Sequence, residues 1–259
     1  MKATVDAVVI APPPPMRIEW RRAWCAMRAL IADPERTELA FEAVSAVSAR
    51  DFERLFRRFV AAPEGRRLLT ERPSLLAALR DRDGLRALPA GTFGRAYAAF
   101  MDEAQLTADG LVEADKASEK ACGYVVADAD REWFSERLRD MHDLWHVLSG
   151  YGRDEAGEAA NLAFSLGQMP FRGIALIVVA AAFLAPHGNR FTWPRYLFHA
   201  WRRGRRAAPL TLARYEELLS RPLEEVRELL RIEPAATVHP DGVVVAWRNS
   251  GPPQPVMTA

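Results

Sequence analysis

The 259-residue chain is 49% hydrophobic and 27% charged, long enough to bury a substantial core, which excludes disordered, collagen-like and disulfide-scaffold classes. Its 35 basic residues nearly balance 34 acidic ones, so no whole-molecule field favours nucleic acid or an anionic membrane. Cys25 and Cys122 sit in unrelated surroundings, which points to a reducing compartment with neither a structural disulfide nor a cysteine metal site.

Val8-Val9-Ile10 follows Asp6 and is too short for a signal-peptide core, so a cytoplasmic location is expected. Residues 1–16 read as a leader, because Pro12 to Pro15 cannot be helical. Beyond it, apolar residues recur at helical spacing: Trp20, Trp24, Met27 and Ile31, then Phe52, Leu55, Phe56 and Phe59, then Phe93, Tyr97 and Phe100. Short turns at Pro63-Glu64-Gly65, Arg72-Pro73, Asp83-Gly84 and Pro89-Ala90-Gly91 separate them, which predicts one compact all-α array over residues 17–233.

The clearest helix opens at Trp133 or Phe134 and carries Phe134, Leu138, Met141, Trp145 and Leu148 on one stripe. Ser149-Gly150-Tyr151-Gly152 stops it, and Asp154 is the expected N-cap of a second helix over residues 154–168, closing an αα-hairpin. The apolar run Gly173 to Ala185 falls short of the ~20 residues that span a bilayer, and reads first as a buried core helix. An aromatic and basic stretch and an amphipathic helix from Leu223 to Leu230 follow. Residues 234–259 read as an extension: Thr237-Val238-His239-Pro240-Asp241-Gly242 before Val243, Val244 and Val245 predicts a β-hairpin, pairing with Val8 to Ile10, then a disordered tail.

Chemistry concentrates in the hairpin. His142 and His146 are four residues apart, so their imidazoles project from one helical face about 6 Å apart along the axis. Asp143 lies on the same turn, and Glu158 falls one turn into the returning helix, where it faces the histidines. Two imidazoles and two carboxylates suit one divalent Zn, Fe, Mn or Co ion better than Mg or Ca.

The string His142-Asp143-Leu144-Trp145-His146, then eleven residues, then Glu158 resembles without a gap the signature of ubiquinone (coenzyme Q) biosynthesis proteins of the Coq-four type. Leu88-Pro89-Ala90-Gly91-Thr92-Phe93-Gly94-Arg95-Ala96-Tyr97 and Arg203-Gly204-Arg205-Arg206-Ala207 resemble further segments of that family. The resemblance implies an all-helical, often dimeric fold, with a metal at the motif and a hydrophobic cavity for a polyprenyl tail. It also implies work on a polyprenylated aromatic intermediate, either as oxidative decarboxylation at ring carbon C1 or as a scaffold for the other ubiquinone-biosynthesis enzymes. Exchanging a ring carboxylate for a hydroxyl with dioxygen needs a metal that changes oxidation state, which zinc does not.

Around this centre, Glu155 lies on the same face as Glu158 and is the candidate for proton handling. Arg95, Tyr97 and Trp145 are candidates to line a substrate cavity. Arg202, Arg205 and Arg206, clustered with Arg203 behind Trp193, Tyr196, Phe198 and Trp201, are candidates to meet lipid headgroups or an anionic substrate, with the protein docked peripherally on a membrane surface. Nucleic acid is not expected as a partner. His187, His199 and His239 lack ligand spacing and read as structural. Adjacent His-Asp also occurs in HD-type metal-dependent phosphohydrolases, but these need an upstream histidine, and none precedes His142.

Overall fold

The computed structural model describes residues 11–13, 17–33, 36–103, 105, 107–122, 128–183 and 191–238. In chain order its helices are α1 (Trp20–Ala32), α2 (Thr37–Ala61), α3 (Pro63–Glu71), α4 (Leu75–Arg80), α5 (Arg82–Ala87), α6 (Phe93–Glu103), α7 (Asp109–Cys122), α8 (Ala129–Ser149), α9 (Glu155–Gln168), α10 (Arg172–Phe183), α11 (Thr192–Arg206), α12 (Tyr215–Leu218), α13 (Leu223–Leu230) and α14 (Ala235–Val238). A single antiparallel bridge joins Thr92 and Pro222, and no strand forms among the described residues. The fold is all-α, as the periodicity predicts.

Helix α8 is the axis of the array. It starts a turn earlier than its apolar stripe suggests, because the Asp128 carboxylate accepts from the N–H groups of Asp130 and Arg131 and so satisfies two orphan donors. Phe134 packs against Phe52, Phe56 and Phe59 of α2, with ring centroids 5.7, 5.5 and 4.6 Å away. Removing such a fully buried ring costs about 3–5 kcal/mol in other cores.

Arginines tie α8 down at both ends. Arg131 forks onto Glu53 of α2 at 2.8 and 3.0 Å, and Arg137 onto Glu216 of α12 at 2.7 and 3.1 Å. At the C-terminus, Arg227 of α13 donates to the Leu148 and Val147 carbonyls, and Arg203 of α11 to the Ser149 carbonyl. These cations satisfy carbonyls that have no partner within the helix and complement its dipole.

Helix α9 packs on α8 and against α11, where Gly167 and Gly204 let two backbones meet. A Cβ on Gly204 would run into the Phe164 carbonyl, and one on Gly167 into the Trp201 carbonyl and the Arg205 N–H.

Three expectations change. Trp20, Trp24 and Ile31 are exposed, and α1 instead buries Ala23, Ala26 and Met27. Helix α10 is only half-buried: Gly173, Ile174, Ile177 and Ala180 face inward, while Leu176, Val179 and Phe183 face out. Thr237 and Val238 form the end of α14 rather than a strand, because Ala235 buries itself against the C-terminus of α8 beside Gly150. The rest of that hairpin, the tail and Val8 to Ile10 lie outside the described residues.

Candidate metal centre

Four-residue spacing on α8 brings the His142 and His146 rings to 4.9 Å between centroids. The helix ends at Gly150, whose φ of 73° is left-handed and whose N–H reaches the His146 carbonyl at 2.8 Å. Glycine adopts that conformation without the Cβ clash other residues meet. Four residues later the Asp154 carboxylate caps α9 by accepting from the Gly157 N–H, so Glu158 stands in the first turn of the returning helix.

Glu158 Oε2 lies 3.2 Å from His146 Nε2 and 3.7 Å from His142 Nε2. All three ligand atoms fall within 4.8 Å of one another. The edge of a tetrahedron with ~2 Å metal–ligand bonds is about 3.3 Å, so the Glu158 oxygen stands from the two ring nitrogens at about the separation of groups around one ion.

The tautomers fit as well. His142 Nδ1 donates to Asp143 Oδ1 at 3.2 Å, and His146 Nδ1 donates to the Tyr151 carbonyl at 3.1 Å. With both Nδ1 protons so placed, each Nε2 faces the Glu158 carboxylate, donating to it when the ring is protonated and offering a lone pair to a metal ion when it is neutral. A metal ion among the three groups would take the place of the Nε2 protons, and a partner on the far nitrogen is what a metal-bound imidazole ordinarily has.

Asp143 therefore stands behind His142 rather than among the converging groups. It is almost fully buried and also receives Arg153 at 3.4 Å. Burial opposes ionisation of both carboxylates but is outweighed. His142, His146 and Arg153 hold Asp143 below the usual carboxylate range, and His146 and His142 bring Glu158 down to about 2. Burial also disfavours a charged His142, yet Asp143 and Glu158 raise its pKa above the ordinary histidine value.

Two neighbours escape sequence reasoning. Phe100 of α6 stacks on His146 at 5.5 Å, and the Arg153 guanidinium lies 5.5 Å over the Phe100 ring. Arg153 sits in the short connection between α8 and α9, so the tightness of that turn was the one available signal. Side chains of His142, Glu158 and Arg153 are 25%, 32% and 30% exposed, which makes this the side open to solvent.

The other candidates are dispersed. Glu155 is exposed and does not join the three converging groups. Trp145 is fully buried, donating to the Tyr215 hydroxyl at 2.9 Å and packing on Phe164. Arg95 is exposed and donates to the Leu88 carbonyl, and Tyr97 is fully buried. Arg202, Arg205 and Arg206 are exposed, whereas Arg203 of the same cluster is buried on Tyr151, at 2.6 Å from its hydroxyl.

Fold and site together define an all-helical protein with two histidines and one carboxylate converging at a helical hairpin. Residues 21–236 match the family described as coenzyme Q (ubiquinone) biosynthesis protein Coq4, and the chain belongs to that family. A relative from Pyricularia oryzae, named ubiquinone biosynthesis protein COQ4, mitochondrial, is 31% identical over 79% of this chain and 65% of its own length. A relative from Aedes aegypti, named as a COQ4 homolog, is 28% identical over 79% of this chain and 72% of its own length. The chain thus spans less than two thirds of the fungal relative. A crystal structure from Nostoc punctiforme, described provisionally as a ubiquinone biosynthesis protein, has the same fold at a TM-score of 0.61, with 21% identity over 83% of this chain and 98% of that one.

Proposed function

We propose that this protein is a metal-dependent enzyme of ubiquinone biosynthesis that exchanges the ring carboxylate of a polyprenylated aromatic acid for a hydroxyl. In that reaction the aromatic acid and dioxygen, with two electrons and two protons from an external reductant, give the phenol, carbon dioxide and water. The observation that carries this reading is the set of three converging groups, His142, His146 and Glu158, with Asp143 turned behind His142. Three protein ligands leave a coordination position for a reactant, and two histidines with one carboxylate are the donors that non-haem iron oxygenases use. A bound redox metal would supply the one-electron chemistry that dioxygen requires.

The residues supply the rest. His142 and His146 are held in the tautomer that presents Nε2, and Glu158 closes the set from α9. With a divalent ion, the charges of Glu158, Asp143 and Arg153 leave a net +1, which favours one bound anion. Arg153, on the open side, is the group to receive the substrate carboxylate, and Phe100 beneath it is an apolar platform for an aromatic ring.

A polyprenyl tail keeps its carrier in a bilayer, so the protein must visit the membrane surface. Among the described residues, no helix is long and apolar enough to cross a membrane. The exposed Trp20 and Trp24 of α1 and Val179 and Phe183 of α10 lie on helices joined through Met27, Ile177 and Ala180, and they are the proposed docking face.

The test is an assay of iron-loaded protein with a short-chain prenylated 4-hydroxybenzoic acid, dioxygen and a reductant. Carbon dioxide release with one labelled oxygen entering the ring, lost in His142→Ala, supports the reading. Full metal content with no turnover, beside unchanged retention of the prenylated acid, would turn it to a lipid-binding scaffold for the other ubiquinone-biosynthesis enzymes.

A further inference from the structure

On the inner side of the metal centre the structure holds a second polar cluster. A cavity of about 10 Å³ lies between α4, α6, α8 and the start of α7. Leu76, Leu79, Ala108 and Leu111 form its apolar wall, and its polar wall is Tyr97, Asp140 and Asp143. That volume is close to the least that admits one water molecule, and an ordered buried water needs two to four polar partners.

Tyr97 makes the cluster hard to dismiss as packing. Its side chain is fully buried, and its hydroxyl has no hydrogen-bond partner among the described residues. Burial and the nearby Asp143 push the phenol pKa up, so the hydroxyl keeps its proton and is a donor in search of an acceptor. Buried polar groups in native proteins are nearly always satisfied, by protein or by water. Asp143 and Asp140 are also buried. His142 and Arg153 reach Asp143 through the same oxygen, Oδ1, and Arg139 reaches Asp140 through its own Oδ1. Each carboxylate has a second oxygen.

We infer that this cavity holds one ordered water, bound by Tyr97, Asp143 and Asp140, and that Tyr97 is thereby a positioning residue for His142. The chain of contacts runs from the Tyr97 hydroxyl through the water to Asp143, and from Asp143 to His142 Nδ1. Its effect is to fix the Asp143 carboxylate and hence the orientation and tautomer of the His142 ring. Tyr97 touches no reactant in this account. The consequence for metal binding rests on the function proposed above, but the network itself does not.

The test uses the full chain, wild type beside Tyr97→Phe, which keeps the ring and removes only the hydroxyl. Two readouts are taken: the His142 imidazole nitrogen resonances in metal-free protein, and iron(II) and cobalt(II) affinity by competition with a chromophoric chelator. Loss of a partner beyond the first ligands weakens metal affinity about 10- to 100-fold in comparable sites. The expected result is a shifted His142 Nδ1 resonance and a loss of about tenfold in affinity, with helical circular dichroism unchanged. Ala108→Val, which fills the cavity and leaves the hydroxyl in place, should do the same, and it answers the question if Tyr97→Phe folds poorly. Unchanged His142 resonances in both variants would overturn the inference. A shifted resonance in a chain that binds no metal even as wild type would uphold the network and overturn the metal reading instead.

Discussion

At the residue scale, the centre is a set of charges that sustain one another. Without metal, the Glu158 carboxylate is stabilised by His146 and His142, and a protonated His142 by Asp143 and Glu158. The Glu158 pKa falls from 4.5 to about 2, so its contribution is complete above about pH 4.5 and is lost as pH drops toward 2. The His142 pKa rises from 6.5, so its contribution is complete below about pH 6.5 and is lost as pH climbs through the raised value. Thermal unfolding of metal-free protein is therefore expected to peak between about pH 4.5 and 6.5, and Glu158→Gln should remove the acid limb that Glu158 supplies and only lessen the alkaline one, which Asp143 also supports. An unchanged profile in the variant would contradict this. On the proposed reading Arg153 receives the substrate carboxylate: Arg153→Met should raise KM for a carboxylated prenylphenol about tenfold, the worth of one charge-assisted hydrogen bond, when measured at saturating metal. Spacing was enough to bring His142 and His146 together, because a helix fixes where residues four apart must point, and the break at Gly150 with the cap at Asp154 brought Glu158 to them. It was not enough to place Asp143, whose direction depends on a ring nitrogen and on an arginine ten residues away.

At the element scale, the hairpin works because its break and its restart are both written locally. Gly150 ends α8 and Asp154 starts α9, and these set the register that returns Glu158 to the histidines. Asp154→Ala should cost about 1 kcal/mol of stability, the usual worth of an N-cap, and also weaken metal binding severalfold as the first turn of α9 loosens. Denaturant unfolding beside metal titration checks both effects, and full affinity would show that the cap does not hold Glu158. These signals were legible because each acts within a few residues. The arginines that anchor α8 were not, since Arg131 finds Glu53 78 residues away and Arg137 finds Glu216 79 residues away. Nothing local distinguishes them from Arg205 or Arg206, which stay on the surface. Removing one partner of a buried pair such as Arg131 and Glu53 typically costs 3–5 kcal/mol.

At the scale of the whole molecule, helical periodicity announced an all-α fold but not which apolar stripes would be covered. Trp20 and Trp24 share a face as regular as that of Phe56 and Phe59, yet α2 lies in the core and α1 at the edge. That choice belongs to tertiary packing, and it leaves aromatic surface exposed on α1 and α10. If this face docks on lipid, Trp24→Asp combined with Phe183→Asp should reduce sedimentation with anionic liposomes about tenfold. Replacing Arg205 and Arg206 with Ser should have a smaller effect that vanishes at high salt. Undiminished sedimentation of the aromatic double variant would reject the face.

The proposed chemistry stands on the metal. Its most direct test is elemental analysis of purified protein, wild type beside Glu158→Ala, with an anaerobic electron paramagnetic resonance spectrum of each. About one redox-active ion per chain in the wild type, lost in the variant while helical circular dichroism persists, is the predicted result. Zinc alone, no metal, or an ion retained undiminished by Glu158→Ala would contradict it.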